Sequence, residues 1–319
     1  MKLQTQIPLQ KQSNNLIDYN SNILLLGSCF VENIGSKLEY FKFQNLQNPL
    51  GILFHPKAIE SLIINTINEK IYTEDDVFFH NEQWHCFEAH SKLSNASKED
   101  LLNDLNKQCD LTNQKLNNAT HIVITLGTAW IYKYTETGKH VANCHKIPQK
   151  NFQKELLSVK EIQELLQSII STIKIVNPKA SIVFTVSPVR HLKDGFVENT
   201  QSKSHLITAI HSVLSLLAQS RGLYYFPSYE IMMDELRDYR FYAEDMIHPS
   251  PTAINYIWEA FKNVWIADES FKIMERIDVI QKGLNHRPFN TKSKGHQKFI
   301  SNLNEKQTQL KNEFPHIMF

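Results

Sequence analysis

Apolar residues run almost unbroken at four places in this chain, and each run ends at a glycine, a proline or a polar turn. Residues 22–30 read Asn-Ile-Leu-Leu-Leu-Gly-Ser-Cys-Phe, so four aliphatic side chains lead straight into Gly27. The second run, Thr120-His-Ile-Val-Ile-Thr-Leu-Gly-Thr-Ala-Trp-Ile-Tyr132, turns at Gly127. The third covers 180–190 and continues into 191–195, and a short fourth covers 222–227. Apolar runs of about 4–8 residues between turn signals are the mark of strands buried on both faces, as in a parallel sheet. Between them the apolar positions recur at helical spacing. Examples are Ala58, Ile59, Leu62, Ile63 and Ile67 in 57–68, and Ile162, Leu165, Leu166, Ile169, Ile170 and Ile173 in 158–176. Further helices are predicted over about 31–40, 98–117, 200–219, 229–236 and 252–267. Strands alternating with helices of this length predict βαβ units with right-handed crossovers, hence an α/β fold.

The remaining segments read as connections. Residues 1–20 are polar and irregular, an extended arm lying on the domain, and 45–56 form a loop stiffened by Pro49 and Pro56. Two short strands around Asn81-Glu82 predict a hairpin over 77–87. A long polar loop runs from 133 to 152, and loops of that length inside a compact domain are usually functional. Asn177-Pro178 stops the helix that ends at 176. From about 268 the pattern is helical and polar with a basic loop over 292–298. This places one large domain at 1–267 and a helical appendage at 268–319.

Composition narrows the choices. At 319 residues and 42% apolar the chain can bury a sizeable core. A formal net charge of +1 leaves no overall basic footprint for nucleic acid. The lysines between Lys292 and Lys298 are explained by a solvated loop. Cys29, Cys86, Cys109 and Cys144 include no Cys-x-x-Cys pair, which argues against a disulfide framework or a structural zinc. His80, His85 and His90 fall five apart, on no common helix or strand face, and adjacent Cys144 and His145 seldom reach one metal together. No metal and no cofactor are therefore expected. The first dozen residues lack an apolar signal core and no run approaches ~20 apolar residues, so a soluble, cytoplasmic protein with no membrane partner is expected.

Two places carry candidate chemistry. Ser28 and Cys29 follow the first strand, and Ser28 is placed to cap the next helix. That helix's N-terminus favours developing negative charge or a thiolate on a nucleophile there. The plainer reading is an ordinary strand-to-helix turn with Cys29 as a small buried hydrophobe. The second place is Asp245-Met-Ile-His248-Pro249. Residues three apart in a turn put a carboxylate beside an imidazole, whose tautomer it then holds, and this makes a general base for a Ser or Cys nucleophile. The plainer reading here is a turn-capping aspartate and a solvated histidine. Arg190 ends the third strand, where it suits a substrate carboxylate or phosphate, or an ion pair with a loop carboxylate such as Asp194. Trp130 and Tyr132 line a pocket or pack under the long loop.

With these residues in view the chain resembles the GSCFA family, grouped with the SGNH (GDSL-like) hydrolases. The resemblance runs over about 5–265. It rests on Gly27-Ser28-Cys29-Phe30 (with Val31 for the family's Ala), Asn48-Pro-Leu-Gly51, Gly127-Thr-Ala-Trp130, Asn143-Cys-His145, Ser187-Pro-Val-Arg190 and Asp245-x-x-His248. It implies a flavodoxin-like three-layer α/β/α fold with the site at the carboxyl edge of the sheet. It also implies Cys29 in the nucleophile position, Gly51 as an oxyanion donor, and Asp245 and His248 as the final block. The third block's asparagine is replaced by Ala129, and Asn143 or His145 is the candidate replacement donor. The activity so implied is a Cys29-dependent esterase or acyltransferase acting on an acylated small molecule or carbohydrate. A variant keeps Ser28 as the nucleophile, and a non-enzyme alternative keeps the site as a ligand pocket without turnover.

Overall fold

The computed structural model describes residues 5–319. The first four residues of the expected arm lie outside the described residues. Five strands form the central sheet: β1 (Asn22–Gly27), β2 (Gln44–Gln47), β5 (His121–Leu126), β9 (Ser181–Val186) and β10 (Leu223–Tyr225). Their order is β10-β9-β5-β1-β2 and every pairing is parallel. Counted along this sheet alone, the order is 2-1-3-4-5, the flavodoxin-like arrangement, whose switch point lies between β1 and β5.

Alternation along the strands builds the two helical layers. Leu24, Leu26, Ile122, Ile124, Leu126, Ile182, Phe184 and Val186 face one cluster. That cluster is filled by α2 (Pro56–Ile67), α3 (Lys98–Asn118), α4 (Val159–Val176) and α5 (Phe196–Leu216). The intervening Ile23, Leu25, Val123 and Val183 face the other cluster, filled by α1 (Cys29–Tyr40), α7 (Pro251–Trp265), α8 (Asp268–Leu284) and α9 (Lys294–Glu313). The chain is thus a three-layer α/β/α structure, with a half-turn α6 (Ser228–Glu230) continuing as a π-helical turn over Ile231–Glu235. The two C-terminal helices lay Met274, Ile277, Ile280, Leu303 and Leu310 into the second cluster. The basic segment is therefore part loop and part first turn of α9, which Ser293 caps by accepting from His296 N–H. The N-terminal arm is docked: Ile17 bridges Ile266, and its side chain and that of Tyr19 are buried.

Three elements differ from the sequence expectation. β2, Gln-Asn-Leu-Gln, lies in what reads as loop because an edge strand needs no apolar run. The stretch after Gly127 leaves the central sheet and becomes β6 (Trp130–Tyr134), paired antiparallel with β7 (His140–Val141) and β8 (Phe152–Leu156). The long loop is thus anchored in a small sheet at 133–134, 140–141 and 152, with turns between. Third, α5 begins four residues before the predicted start, after Gly195 at φ 112°. The 77–87 hairpin forms as expected, with β3 (Val77–His80) against β4 (Gln83–Cys86).

Candidate active site

The carboxyl edge of the sheet at the switch point is where the chemistry-bearing loops meet. Gly27 ends β1 at φ 134°, and a Cβ there would stand 2.1 Å from the Thr125 carbonyl oxygen. Only glycine lets β1 run this close to β5 and still turn. Ser28 follows with its N–H donating to Thr125 O at 3.0 Å. It holds the N-cap position of α1, yet its hydroxyl makes no capping bond. The residue is 1% exposed and its Oγ has no partner among the described residues. Cys29 opens α1 and is partly buried. Burial pushes its thiol above the ordinary range, while Lys203 and the N–H groups of Cys29 and Phe30 pull it down, against Glu32, which raises it.

The Asn48-Pro-Leu-Gly51 loop serves this turn from the side. Buried Asn48 accepts from Gly27 N–H through Oδ1 at 2.9 Å. Replacing Asn48 with Ala strands that buried N–H, and an expected loss of about 1–3 kcal/mol is read from urea unfolding. An unchanged midpoint would mean that the loop holds the turn by packing alone. Gly51 is not a free donor here: its N–H closes the turn onto Asn48 O at 2.7 Å. Its Cα faces His90, whose Cβ would lie 2.4 Å from an added Cβ.

Asp245 and His248 come together as their spacing predicts. His248 Nδ1 lies 2.7 Å from Asp245 Oδ2, while Asp245 Oδ1 accepts from the N–H groups of Ile247 and His248. Those donors, His248 N–H foremost, hold the Asp245 carboxyl down at about 2. The carboxylate fixes the imidazole by one ring nitrogen and leaves Nε2 free at an exposed position. Arg190 sits against this turn, its N–H donating to Ile247 O at 3.3 Å. Its guanidinium lies over the rings of Tyr242 and Tyr239, at 4.2 and 5.2 Å from their centroids, in a cleft of about 170 Å³. The alternative ion pair of Arg190 with Asp194 does not form; Asp194 pairs with Lys154 at 2.5 Å.

Among the described residues no hydrogen bond joins Cys29 to His248. The other expected site residues have partners of their own. His145 is buried against Phe78, His85 and Phe87, its Nε2 bonded to Cys86 O at 2.7 Å. Burial pushes it down to about 4, so it is a neutral packing histidine. Asn143 accepts through Oδ1 from His145 N–H and from the Ser91 hydroxyl. Its neighbour across the loop, Lys92, pairs with Glu32 one turn into α1. Trp130 on β6 is covered by Lys154 at 4.3 Å and donates to Glu198 O. Ala129, where the third-block asparagine is missing, is buried, with its N–H bonded to Ser202 Oγ.

Two groups that the sequence reading passed over complete the floor. Lys203 of α5 is 1% exposed, and its Nζ donates to Gly127 O at 2.6 Å and Ser187 O at 2.7 Å, tying the ends of β5 and β9. Burial brings its ammonium down to about 7. His191 is partly buried, its Nε2 is buried without a partner among the described residues, and burial, Lys203 and His248 together push it down to about 3. The signal was in register: Asn199 and Lys203 continue the stripe of Leu206, Ile210 and Val213 by steps of four and three, placing polar groups on the buried face of α5.

The family model for the GSCFA family matches residues 22–261, and that for the GSCFA domain protein, C-terminal domain, matches residues 277–319. The chain belongs to the GSCFA family. No curated protein matches it. Among solved structures, the chain is similar to a protein assigned as a platelet activating factor from Streptococcus pneumonia. That likeness has 12% identity and a TM-score of 0.41, over 76% of this chain and 83% of that one. An acetyl xylan esterase from the rumen bacterium Butyrivibrio proteoclasticus is similar at 10% identity and a TM-score of 0.38, over 84% of this chain and 66% of that one. No helix among the described residues of this GSCFA protein is long and apolar enough to cross a membrane.

Proposed function

We propose that this GSCFA protein is an SGNH-like acyl esterase or acyltransferase that works through Cys29, with His248 as general base and Asp245 as its orienting carboxylate. The observation that carries this reading is the Asp245–His248 pair at 2.7 Å, with a free Nε2, on the same sheet edge as the β1 turn that presents Cys29. Cys29 is favoured over Ser28 because the serine is 1% exposed with its hydroxyl shut away, while Cys29 is only partly buried. In the reaction His248 Nε2 takes the Sγ proton and the thiolate attacks the acyl carbonyl. The tetrahedral intermediate then expels the alcohol, which takes the proton from His248. Water or a second alcohol, deprotonated by His248, attacks the thioester and restores the thiol.

The N–H groups of Cys29 and Phe30 at the head of α1 are the backbone donors for the oxyanion. Asn143 supplies the side-chain donor in this reading, since its Oδ1 is held and its Nδ2 has no partner among the described residues. Arg190 with its two tyrosines suits an anionic or sugar-like portion of the substrate. The substrate class is a small acylated molecule or acylated carbohydrate, with no nucleic acid or membrane partner and no cofactor.

The test is intact-mass spectrometry after incubation with p-nitrophenyl acetate. An acyl adduct is expected in wild type and in Ser28→Ala, and it should be lost in Cys29→Ala. An adduct that survives Cys29→Ala overturns the assignment of the nucleophile. No adduct in any form favours the second reading, a ligand pocket without turnover, which the engaged Gly51 N–H and the alanine at 129 support.

A further inference from the structure

The β3–β4 hairpin and the small sheet of β6, β7 and β8 face each other across a cleft of about 540 Å³ that the acyl-transfer reading leaves unused. The two walls are tied together where Ala142 N–H donates to Phe87 O at 2.7 Å. Clefts of this size, lined by rings and a few converging polar groups, are where small molecules bind. The rings here make a continuous surface. Phe78 stacks on Phe87 at 4.2 Å between centroids, and Phe87 meets Tyr134 at 4.9 Å. All three line the cleft and are only partly buried. The rim mixes acceptors with donors: Asp75 and Glu136 bring carboxylates, Lys139 an ammonium and Asn151 an amide. The Tyr134 hydroxyl donates to Glu136 at 2.6 Å and so fixes that carboxylate. Asp76 and Glu88, deeper in, share Lys70 at 3.0 and 2.9 Å. His80 also lines the cleft, and its Nε2 is buried with no partner among the described residues.

We propose that this cleft is a carbohydrate-binding subsite, taking a neutral sugar unit with its C–H face on the aromatic wall and its hydroxyls on the rim. The negative face of an aromatic ring attracts the weakly positive C–H groups of a sugar ring. A hydroxyl both donates and accepts, so one sugar satisfies Glu136, Lys139 and the His80 nitrogen together. An ammonium ligand has donors alone: it suits the rings and the carboxylates but stands against Lys139. An apolar ligand leaves the rim and the buried His80 nitrogen unpaired, which costs about 1–3 kcal/mol for each such group. The chain leaves the cleft at Glu88 and four residues later reaches Lys92, which pairs with Glu32 of α1 at 2.8 Å. Four residues span at most about 14 Å, so one short segment braces both the cleft and the head of the helix that carries Cys29. The proposal deepens the acyl-transfer reading by giving the sugar part of an acylated carbohydrate its own place, and rests on that reading for this use alone. Sugar binding itself needs no turnover.

The experiment is a saturation-transfer NMR titration of the full chain with cellobiose, xylobiose, maltose and N,N′-diacetylchitobiose, none of which carries an ester. Saturable binding of at least one of them is expected. Its Kd should rise at least about fivefold in Tyr134→Ala, the size of one lost aromatic contact, and should rise also in Lys139→Ala. Thermal melts check the folding of Tyr134→Ala; if it does not fold, Lys139→Ala decides, since that side chain is exposed. Arg190→Ala should bind as wild type does. Binding of none of the four sugars overturns the proposal. So does binding that Tyr134→Ala and Lys139→Ala leave unchanged and Arg190→Ala removes, which would put the sugar in the candidate active site instead. Tetramethylammonium, titrated in parallel, is expected not to bind, and its binding in place of the sugars overturns the ligand class. Sugar binding by a protein that forms no acyl adduct retains the cleft and removes acyl transfer. An acyl adduct without sugar binding does the reverse.

Discussion

On the acyl-transfer proposal, His248→Ala is expected to lower kcat/KM on p-nitrophenyl esters by about 10²–10⁴-fold, the range for loss of a general acid–base group. The ring is held by a single bond to Asp245, with Nε2 free, so no other group in the turn takes over its proton transfers. Asp245→Asn is expected to cost less than His248→Ala, yet at least about tenfold. The amide still reaches Nδ1 but can present its N–H there, and that selects the wrong imidazole tautomer. Both side chains are about half-exposed, so solvent weakens the contribution of the carboxylate's charge. The carboxyl of Asp245 is depressed to about 2, so it stays ionised at all working pH values, and acid inactivation above that range comes from other groups. Steady-state kinetics of both variants make the check. A His248→Ala enzyme within twofold of wild type would remove the turn from the chemistry.

Gly27→Ala destabilises the protein by more than about 4 kcal/mol, among the largest effects a single methyl produces. Two costs add. The residue sits at φ 134°, outside the range that L side chains adopt readily, and its Cβ would meet Thr125 backbone oxygen, carbon and nitrogen at 2.1, 2.8 and 2.9 Å. None of these atoms belongs to a flexible side chain that can swing aside, so β1 and β5 must separate at the edge that carries Ser28 and Cys29. Urea unfolding monitored by tryptophan fluorescence and circular dichroism reads the loss, and the same variant should lose acyl labelling because Cys29 moves. A loss below about 1 kcal/mol would show that the turn relaxes and that its tight register is not required. Gly35 makes the contrast: the atoms nearest an added Cβ are those of the Gln47 side-chain amide, with Oε1 at 2.0 Å. That group can move, so Gly35→Ala is the milder change.

Much of the fold is legible in the residues. The runs at 23–26, 121–126 and 181–186 are fully buried strands, and the 3.6-residue stripe of α4 packs as it reads. Such elements declare themselves because both faces of a central strand, or one face of a helix, must be apolar over several turns. The Asp-x-x-His turn is equally local, since three residues of chain suffice to close the Asp245–His248 contact.

Polar and distant pairings were decided only by the tertiary structure. β2 has a strand's backbone because β1 offers it a ladder, though its own residues carry no strand signal. The small sheet pairs β6 with β7 across a short turn and with β8 across the whole loop, through backbone bonds that side-chain pattern does not encode. Gly51, with a backbone N–H, and His145, with an imidazole, have suitable donors at suitable positions in the chain, but folding commits the N–H of one to a turn and both nitrogens of the other to packing partners. Lys203 shows the converse. A lysine in register with an apolar stripe looks like an interruption until the strand ends bring two carbonyl oxygens to it. Periodicity is a property of neighbours along the chain and can be read there, whereas the partner of a buried polar atom is chosen by whichever loop the fold delivers to it.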